Sequence, residues 1–487
     1  MNYLLGVDFG GGASKTTLLG YNGKIVGTNS VEYKTSYPRP DYAEQNPQDW
    51  YDAITENIRA LIAKTGIAPK NITALCLDSA THTAVLTDEE GNVLRPAIYW
   101  TDSRSVKECE YIRKNYDTLV REKAFHDLDT IWTLPQLMWV KNNEPDVWGK
   151  LRKIFFPKDY IRFLFTDEYL TDYIEAEGSM LFDFNKMEWS EELCGIIGLD
   201  TKILPRVISP FDVVGTVNEK AAADMGLSTD TKVICGTTDT VLEVFAAGAV
   251  EQSDITVKLA TAGRICVVTD KAYPHKHLVN YSHVENGLWY PGTATKSCAA
   301  SYRWYRDTFG GSYNELDEEA AKVPVGSEGL IFHPYLNGEL TPYADPKLCG
   351  SFTGIRAFHN KAHFSRAVME GVAMSLKDCK AIFDEQDIDF GKTASIIGGG
   401  SCSPLWRQIV ADALNITLIQ KENSDSSFGG AMLAGVALGV FSSLKDAVGK
   451  CSAVKSVTKP IKENVQIYDE IFKKYKKIHD VLAEINN

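Results

Sequence analysis

Two distant stretches of the chain carry the same pattern. Tyr3 to Asp8 reads as a strand, Asp8-Phe9-Gly10-Gly11-Gly12-Ala13-Ser14-Lys15 as a glycine turn, and Thr16 to Leu19 as the returning strand. Ile255 to Leu259, the small-residue turn Ala260-Thr261-Ala262-Gly263 and Ile265 to Val268 repeat it. Strand, phosphate-sized turn and strand, occurring twice, indicate an internally duplicated βββαβαβα unit. Neither turn opens a helix, which argues against a dinucleotide-binding fold, where the glycines must do so. At 487 residues the chain is also too long for one core. The pattern predicts an α/β protein of two domains, 1–247 and 248–487, each on a mixed sheet that begins with an antiparallel hairpin.

Asp239 lies between the two repeats. The β-branched residues Val233 and Ile234 form a strand that Gly236 and two threonines end. The carboxylate then sits at the strand's C-terminal mouth, where open α/β sheets place ligands. It is read as a base that deprotonates a hydroxyl for phosphoryl transfer; the alternative is a turn aspartate capping a helix near Val241. The turn Gly10, Gly11, Gly12 can cradle phosphates on its backbone N–H groups, with Ser14 and Lys15 as further donors. A plain hairpin turn is the alternative. In Asp78-Ser79-Ala80-Thr81-His82-Thr83, His82 is expected to donate to a ligand hydroxyl. Tyr99-Trp100-Thr101-Asp102-Ser103-Arg104 offers an aromatic face, a carboxylate and a guanidinium, a set suited to a polyol.

Later, Thr393 to Ile397 feeds Gly398-Gly399-Gly400-Ser401-Cys402-Ser403-Pro404 and a helix to Leu414. Here the glycines do precede a helix, with Ser403 as N-cap and Pro404 in the first turn. Gly399, Gly400 and Ser403 therefore suit a nucleotide; a βα loop that needs positive φ is the alternative. Ser424 to Gly430 and a small-residue helix to Phe441 are expected to pack behind that turn. Residues 106–230 read as a mostly helical insertion with no assigned chemistry, and the chain from Leu444 as a solvated, lysine-rich helix.

A net charge of −13, from 51 basic and 64 acidic residues, argues against a nucleic-acid or anionic-membrane partner. No apolar run is long enough to span a bilayer. Met1-Asn2-Tyr3-Leu4-Leu5 runs straight into a strand, so no signal peptide is expected. Ten scattered cysteines without a C-x-x-C pair fit reduced thiols in the cytoplasm.

Taken together, Asp8-Phe9-Gly10, the His82 loop, Tyr99 to Arg104, Asp239, Thr261 with Gly263, and Asn337-Gly338-Glu339-Leu340-Thr341-Pro342 resemble the FGGY carbohydrate kinases across almost the whole chain. Gly350 through Glu370 and Gly398 to Asp412 resemble that family's C-terminal signature and adenosine loop. The resemblance implies two actin/hexokinase-like (ribonuclease H-like) domains with a central nucleotide cleft. It implies ATP and Mg2+ as cofactors, Asp239 as base, and Asp8 near the metal through water. Thr81, His82, Trp100, Asp102 and Asp239 are then sugar-side residues, while Gly10, Gly11, Gly12, Thr261 and Gly263 grip phosphates. The implied reaction moves the γ-phosphate of ATP to a hydroxyl of a pentulose such as D-xylulose. Another polyol or sugar (glycerol, ribulose, a deoxy-sugar) and an actin-like protein gated by ATP are the alternatives. A cytoplasmic enzyme is expected, with a homodimer as its assembly.

Five departures bear on the sugar. Gln136 replaces a usual lysine, Thr81 and Thr83 flank His82, and Gly11 and Gly12 replace hydroxyl residues. Ala260 and Ala262 replace Gly and Ser, and Leu340 stands where Arg is common. The sugar's identity does not follow from the sequence.

Overall fold

The computed structural model describes residues 1–486. In the first compact unit, β1 (Tyr3–Phe9), β2 (Ala13–Gly20) and β3 (Ile25–Glu32) form an antiparallel meander. β4 (Ile72–Ser79) runs parallel to β1. It is buried at every position but Thr73, and it reads as the near-continuous apolar run of a strand covered on both faces. β5 (Val213–Thr216) forms the far edge, antiparallel to β6 (Lys232–Thr238), which is parallel to β4. The sheet order is β5-β6-β4-β1-β2-β3.

The second unit builds the same sheet. β7 (Ile255–Leu259), β8 (Gly263–Val267) and β9 (Gly292–Thr295) are the meander. β10 (Thr393–Ile397) is parallel to β7, and β11 (Thr417–Lys421) is parallel to β10. β12 (Val454–Thr458) is the antiparallel edge, giving β9-β8-β7-β10-β11-β12. The duplication seen in two hairpins thus extends to six strands with the same pairing directions, except that the antiparallel edge strand precedes its neighbour in the chain in the first unit and follows it in the second.

The units are not contiguous halves of the chain. The first holds Met1–Gly248, Tyr281–Asn286 and Asn423–Ser452; the second holds Ala249–Asn280, Gly287–Glu422 and the described residues from Ala453 onward. The helix Ser426–Ala437 accounts for the largest exchange. Its small residues permit close approach, and the partner within this unit is β1. A Cβ at Gly6 would strike the Ser427 carbonyl and the Ala431 nitrogen, and one at Gly429 would strike Leu242. Thr17 Oγ1 meets Ser427 Oγ at 2.7 Å. Gly6→Ala is therefore expected to cost about 3 kcal/mol or more of stability, because backbone cannot yield as a side-chain tip can. An unchanged chemical-denaturation midpoint would contradict this packing.

Residues 106–230 carry far more helix than strand, as expected, in Val106–Ala124, Thr133–Asn143, Pro157–Thr166, Glu219–Met225 and shorter pieces, and they add short strands, including Lys153–Phe155, Leu170–Asp172 and β5. The expectation for the C-terminal stretch is corrected. Beyond Leu444 the chain forms β12 and the helix Lys462–Asn486, which buries Tyr468, Tyr475 and His479 on one face. No helix among the described residues is long and apolar enough to cross a membrane.

Candidate active site

The mouth of the first sheet gathers acids. Parallel pairing sets Asp8 of β1 beside Asp78 of β4, and Asp78 beside Thr237 of β6. Asp239 opens the helix Asp239–Ala246 just after β6. It is the first helical residue, and Thr238 holds the cap position. A Cβ on Gly10 would lie 3.5 Å from Asp8 Oδ1 and 4.0 Å from Asp239 Oδ2, so these two carboxylates border one small space. Asp8 Oδ1 and both Asp78 oxygens are buried without a hydrogen-bond partner among the described residues. Burial, then the charge of Asp239, pushes the Asp8 carboxyl up to about 7. Burial, then Asp8 and Asp239, holds Asp78 well above the usual carboxylate range. Asp425, the N-cap of Ser426–Ala437, adds to the repulsion on Asp8. Sequence reasoning missed Asp78 and Asp425; Asp78 had a signal, since it ends a parallel strand as Asp8 does.

The glycine turn is held from behind. Tyr33 Oη donates to the Gly10 carbonyl at 2.6 Å, and Gln45 Nε2 to Gly11 O at 3.1 Å. Gly11 and Gly12 are exposed. Strand alternation separates the two residues that follow. Lys15 lies opposite Asp8 and is exposed, whereas Ser14 is fully buried and receives Asn57 Nδ2 at 3.1 Å. Ser14 is thus not available as a phosphate donor, a correction that the period of two explains.

His82 has φ +70°, uncommon for a residue with a side chain and a frequent mark of functional sites. Its Nδ1 lies 2.9 Å from Gly178 O, and Thr133 Oγ1 donates to its carbonyl at 2.9 Å. A carbonyl only accepts, so Nδ1 carries the proton that faces Gly178. Trp132 meets the His82 ring edge-on at 4.5 Å. Thr81 does not face outward: it is buried, and Oγ1 donates to Glu175 Oε1 at 2.8 Å. Asp102 is also committed, to Ala43 N at 2.6 Å and to Arg104 Nη2 at 2.8 Å. Arg104 in turn stacks over Tyr42 at 3.7 Å. The Asp102–Arg104 pair is internal, while Trp100 remains 38% exposed.

A buried ionic network lies within residues 106–230, a stretch with no chemistry assigned above. Lys158 Nζ bonds Asp159 at 2.5 Å and Asp172 at 2.7 Å, and Arg162 bonds Asp159 at 2.9 Å. Asp172 Oδ1 receives Thr237 Oγ1 at 2.8 Å. The network therefore supports the strand leading to Asp239. Nearby Glu177 is fully buried, and burial pushes its carboxyl up to about 8, with Asp172 repelling it and Tyr173 also close. The folded chain binds this proton more tightly than the unfolded one. Its contribution to stability is full below the ordinary value of 4.5 and is lost as pH rises through about 8. Glu177→Gln, which mimics the protonated acid, is expected to flatten the fall of melting temperature between these pH values. An unchanged slope would contradict the burial.

The second unit carries a cavity of about 560 Å³ lined by Thr261, Arg303, Tyr313, Asn314, Gly399 and Ser403 among others. That volume suits a nucleoside. Gly398 takes φ +86°, and its Cβ would meet Ala260 N at 3.0 Å, so only glycine fits there. At Gly399 a Cβ would meet nothing within 4 Å, whereas at Gly400 it would press on Leu259 at 2.9 Å and Trp406 at 3.0 Å. Ser403 caps the helix Pro404–Leu414 by accepting Trp406 N at 3.1 Å. Gly263 is buried in β8, its N–H donating to Thr295 Oγ1 at 3.2 Å; the phosphate role assigned to it is not what its amide does. Thr261 is exposed at the cavity's rim.

Residues 3–246 match the N-terminal domain of the FGGY family of carbohydrate kinases, and residues 232–438 match its C-terminal domain. The chain belongs to this family. It is 32% identical over 492 residues to the xylulose kinase of Lactococcus lactis subsp. lactis (strain IL1403), covering 100% of this chain and 98% of that one. To the gluconokinase of Bacillus subtilis (strain 168) it is 28% identical over 466 residues, covering 92% and 90%. The crystal structure of a ligand-bound xylulose kinase from Lactobacillus acidophilus superposes with a TM-score of 0.93 at 25% identity, covering 99% of each chain.

As an FGGY kinase the chain has the family's two actin/hexokinase-like domains, each on its own mixed sheet. It is a sugar kinase, and kinases of this family use ATP. Of the residues expected in the site, the first unit brings together Asp8, Gly10 and Asp239, with Lys15 on the same face as Asp8. The second brings Thr261, Gly399, Gly400 and Ser403 to one cavity.

Proposed function

We propose that this FGGY kinase transfers the γ-phosphate of ATP to a hydroxyl of a ketopentose, with D-xylulose as the first candidate. The observation that carries the reading is the pairing of Asp239 with the unpartnered Asp8 oxygen at the mouth of β1 and β6. Full-length likeness to xylulose kinases supports the choice of acceptor. Phosphoryl transfer asks a protein mainly for positioning and charge stabilisation. Asp239 takes the proton from the attacking hydroxyl. Lys15, opposite Asp8, tempers the negative charge there.

The donor set suits magnesium. Asp8 and Asp78 offer only oxygens, and no group of three or more His, Cys, Asp or Glu among the described residues is arranged to hold a metal. Such a site favours a small, hard cation that keeps several waters, and Asp8 would hold it through water. The ion would supply charge neutralisation for the transferring phosphoryl group. In the second unit, Gly399, Gly400 and Ser403 line the nucleoside cavity, with Thr261 at its rim. Ten free cysteines, seven of them buried, support a cytoplasmic setting.

The test is a coupled ADP-release screen over ketopentoses, gluconate, glycerol and aldoses. The highest kcat/KM is expected for a ketopentose; gluconate or glycerol in that place would reject the acceptor. ADP release insensitive to every acceptor would reject sugar phosphorylation. Excess EDTA is expected to abolish turnover, and added Mg2+ to restore it; turnover that persists would reject the metal.

A further inference from the structure

Tyr281–Asn286 packs in the first unit although the chain on either side builds the second. It is locked there by Glu177. Ser282 N donates to Glu177 Oε2 at 2.8 Å, and Ser282 Oγ to Oε1 at 2.5 Å. The clamp delivers Tyr281, itself 4% exposed, to His82: Tyr281 Oη lies 3.3 Å from His82 Nε2. With Nδ1 protonated toward Gly178 O, the tyrosine hydroxyl donates to Nε2 of the neutral ring. The same ring wall closes behind it. Tyr281 lies 5.3 Å from His126, His126 stacks on Trp132 at 4.4 Å, and Trp132 abuts His82.

We propose that Tyr281 is a positioning residue for the sugar: held by the Ser282–Glu177 clamp, it fixes the orientation of the His82 ring. The proposal rests on the reading that His82 faces the acceptor sugar. With Nδ1 tied to Gly178 and Nε2 met by Tyr281, the ring cannot turn without breaking both bonds. The strained φ of His82 fits a residue whose surroundings over-determine its placement.

The test is a double-mutant cycle of Tyr281→Phe and His82→Ala, run on the acceptor with the highest kcat/KM in the screen. Tyr281→Phe keeps the ring and removes the hydroxyl. It is expected to raise the KM for the sugar about threefold to tenfold, the worth of one hydrogen bond, with the KM for ATP unmoved. In the His82→Ala background it should add nothing, since its effect passes through His82. Ser282→Ala, which loosens the clamp, should reproduce the rise. Additive effects, or a rise in the KM for ATP instead, would overturn the proposal. A different preferred sugar would overturn only the ketopentose reading. Independently of any acceptor, the His82 Nε2 nitrogen resonance should shift in Tyr281→Phe; an unmoved resonance would also overturn the proposal.

Discussion

Asp239→Asn is expected to lower kcat by about a hundredfold or more, the usual worth of a positioned general base. The substitution preserves size and shape but removes the ability to take a proton. The KM for the sugar is expected to rise as well, because an amide nitrogen cannot accept a hydrogen bond from a hydroxyl. The KM for ATP should stay near its original value, since the nucleoside cavity is lined wholly by residues of the second unit. The backbone around the residue is firmly set. Gly236 takes φ +70°, and a Cβ there would strike the Leu77 carbonyl, so β6 bends where it meets β4. Neither feature depends on the charge of Asp239, and Asn suits a helix start about as well as Asp. Loss of activity with a normal fold is thus the signature of a base.

Gly399→Val is expected to raise the KM for ATP about tenfold or more, a loss of about 1.4 kcal/mol of binding per factor of ten. The new side chain meets no protein atom at its Cβ, and Gly399 lines the cavity. The melting temperature and sugar KM should therefore hold, which makes this a cleaner test than Gly400, where Leu259 and Trp406 are in the way. Unchanged ATP affinity would remove the nucleoside from this cavity.

The duplicated hairpin was legible because its signals are local: β-branched runs, small-residue turns and period-two alternation lie within a few residues of each other. Asp239 at a strand mouth and Ser403 at a helix start were legible for the same reason. What escaped depends on which face a side chain takes or what crosses the chain. Ser14 looked like a neighbour of Lys15 in a phosphate turn, yet alternation sends it to Asn57. Gly263 looked like a cradle, but its amide is used by Thr295, which lies on β9. Ser426–Ala437 was recognised as a close-packing helix, but nothing local says that Gly6 of β1 receives it. His82 was found as a lone histidine. Its tautomer follows from Gly178 and its wall from Trp132 and Tyr281, none adjacent in sequence. Asp78 was passed over because a strand-end acid gains meaning only when parallel pairing sets it beside Asp8.

The central claim is that Asp239 takes the proton of the acceptor hydroxyl. It is tested most directly by measuring kcat and a melting curve on one preparation of Asp239→Asn, beside the unaltered protein. The expected result is a kcat reduced about a hundredfold or more with the melting temperature retained. Full turnover with an unchanged melt would contradict it and leave Asp239 as an ordinary helix-start residue.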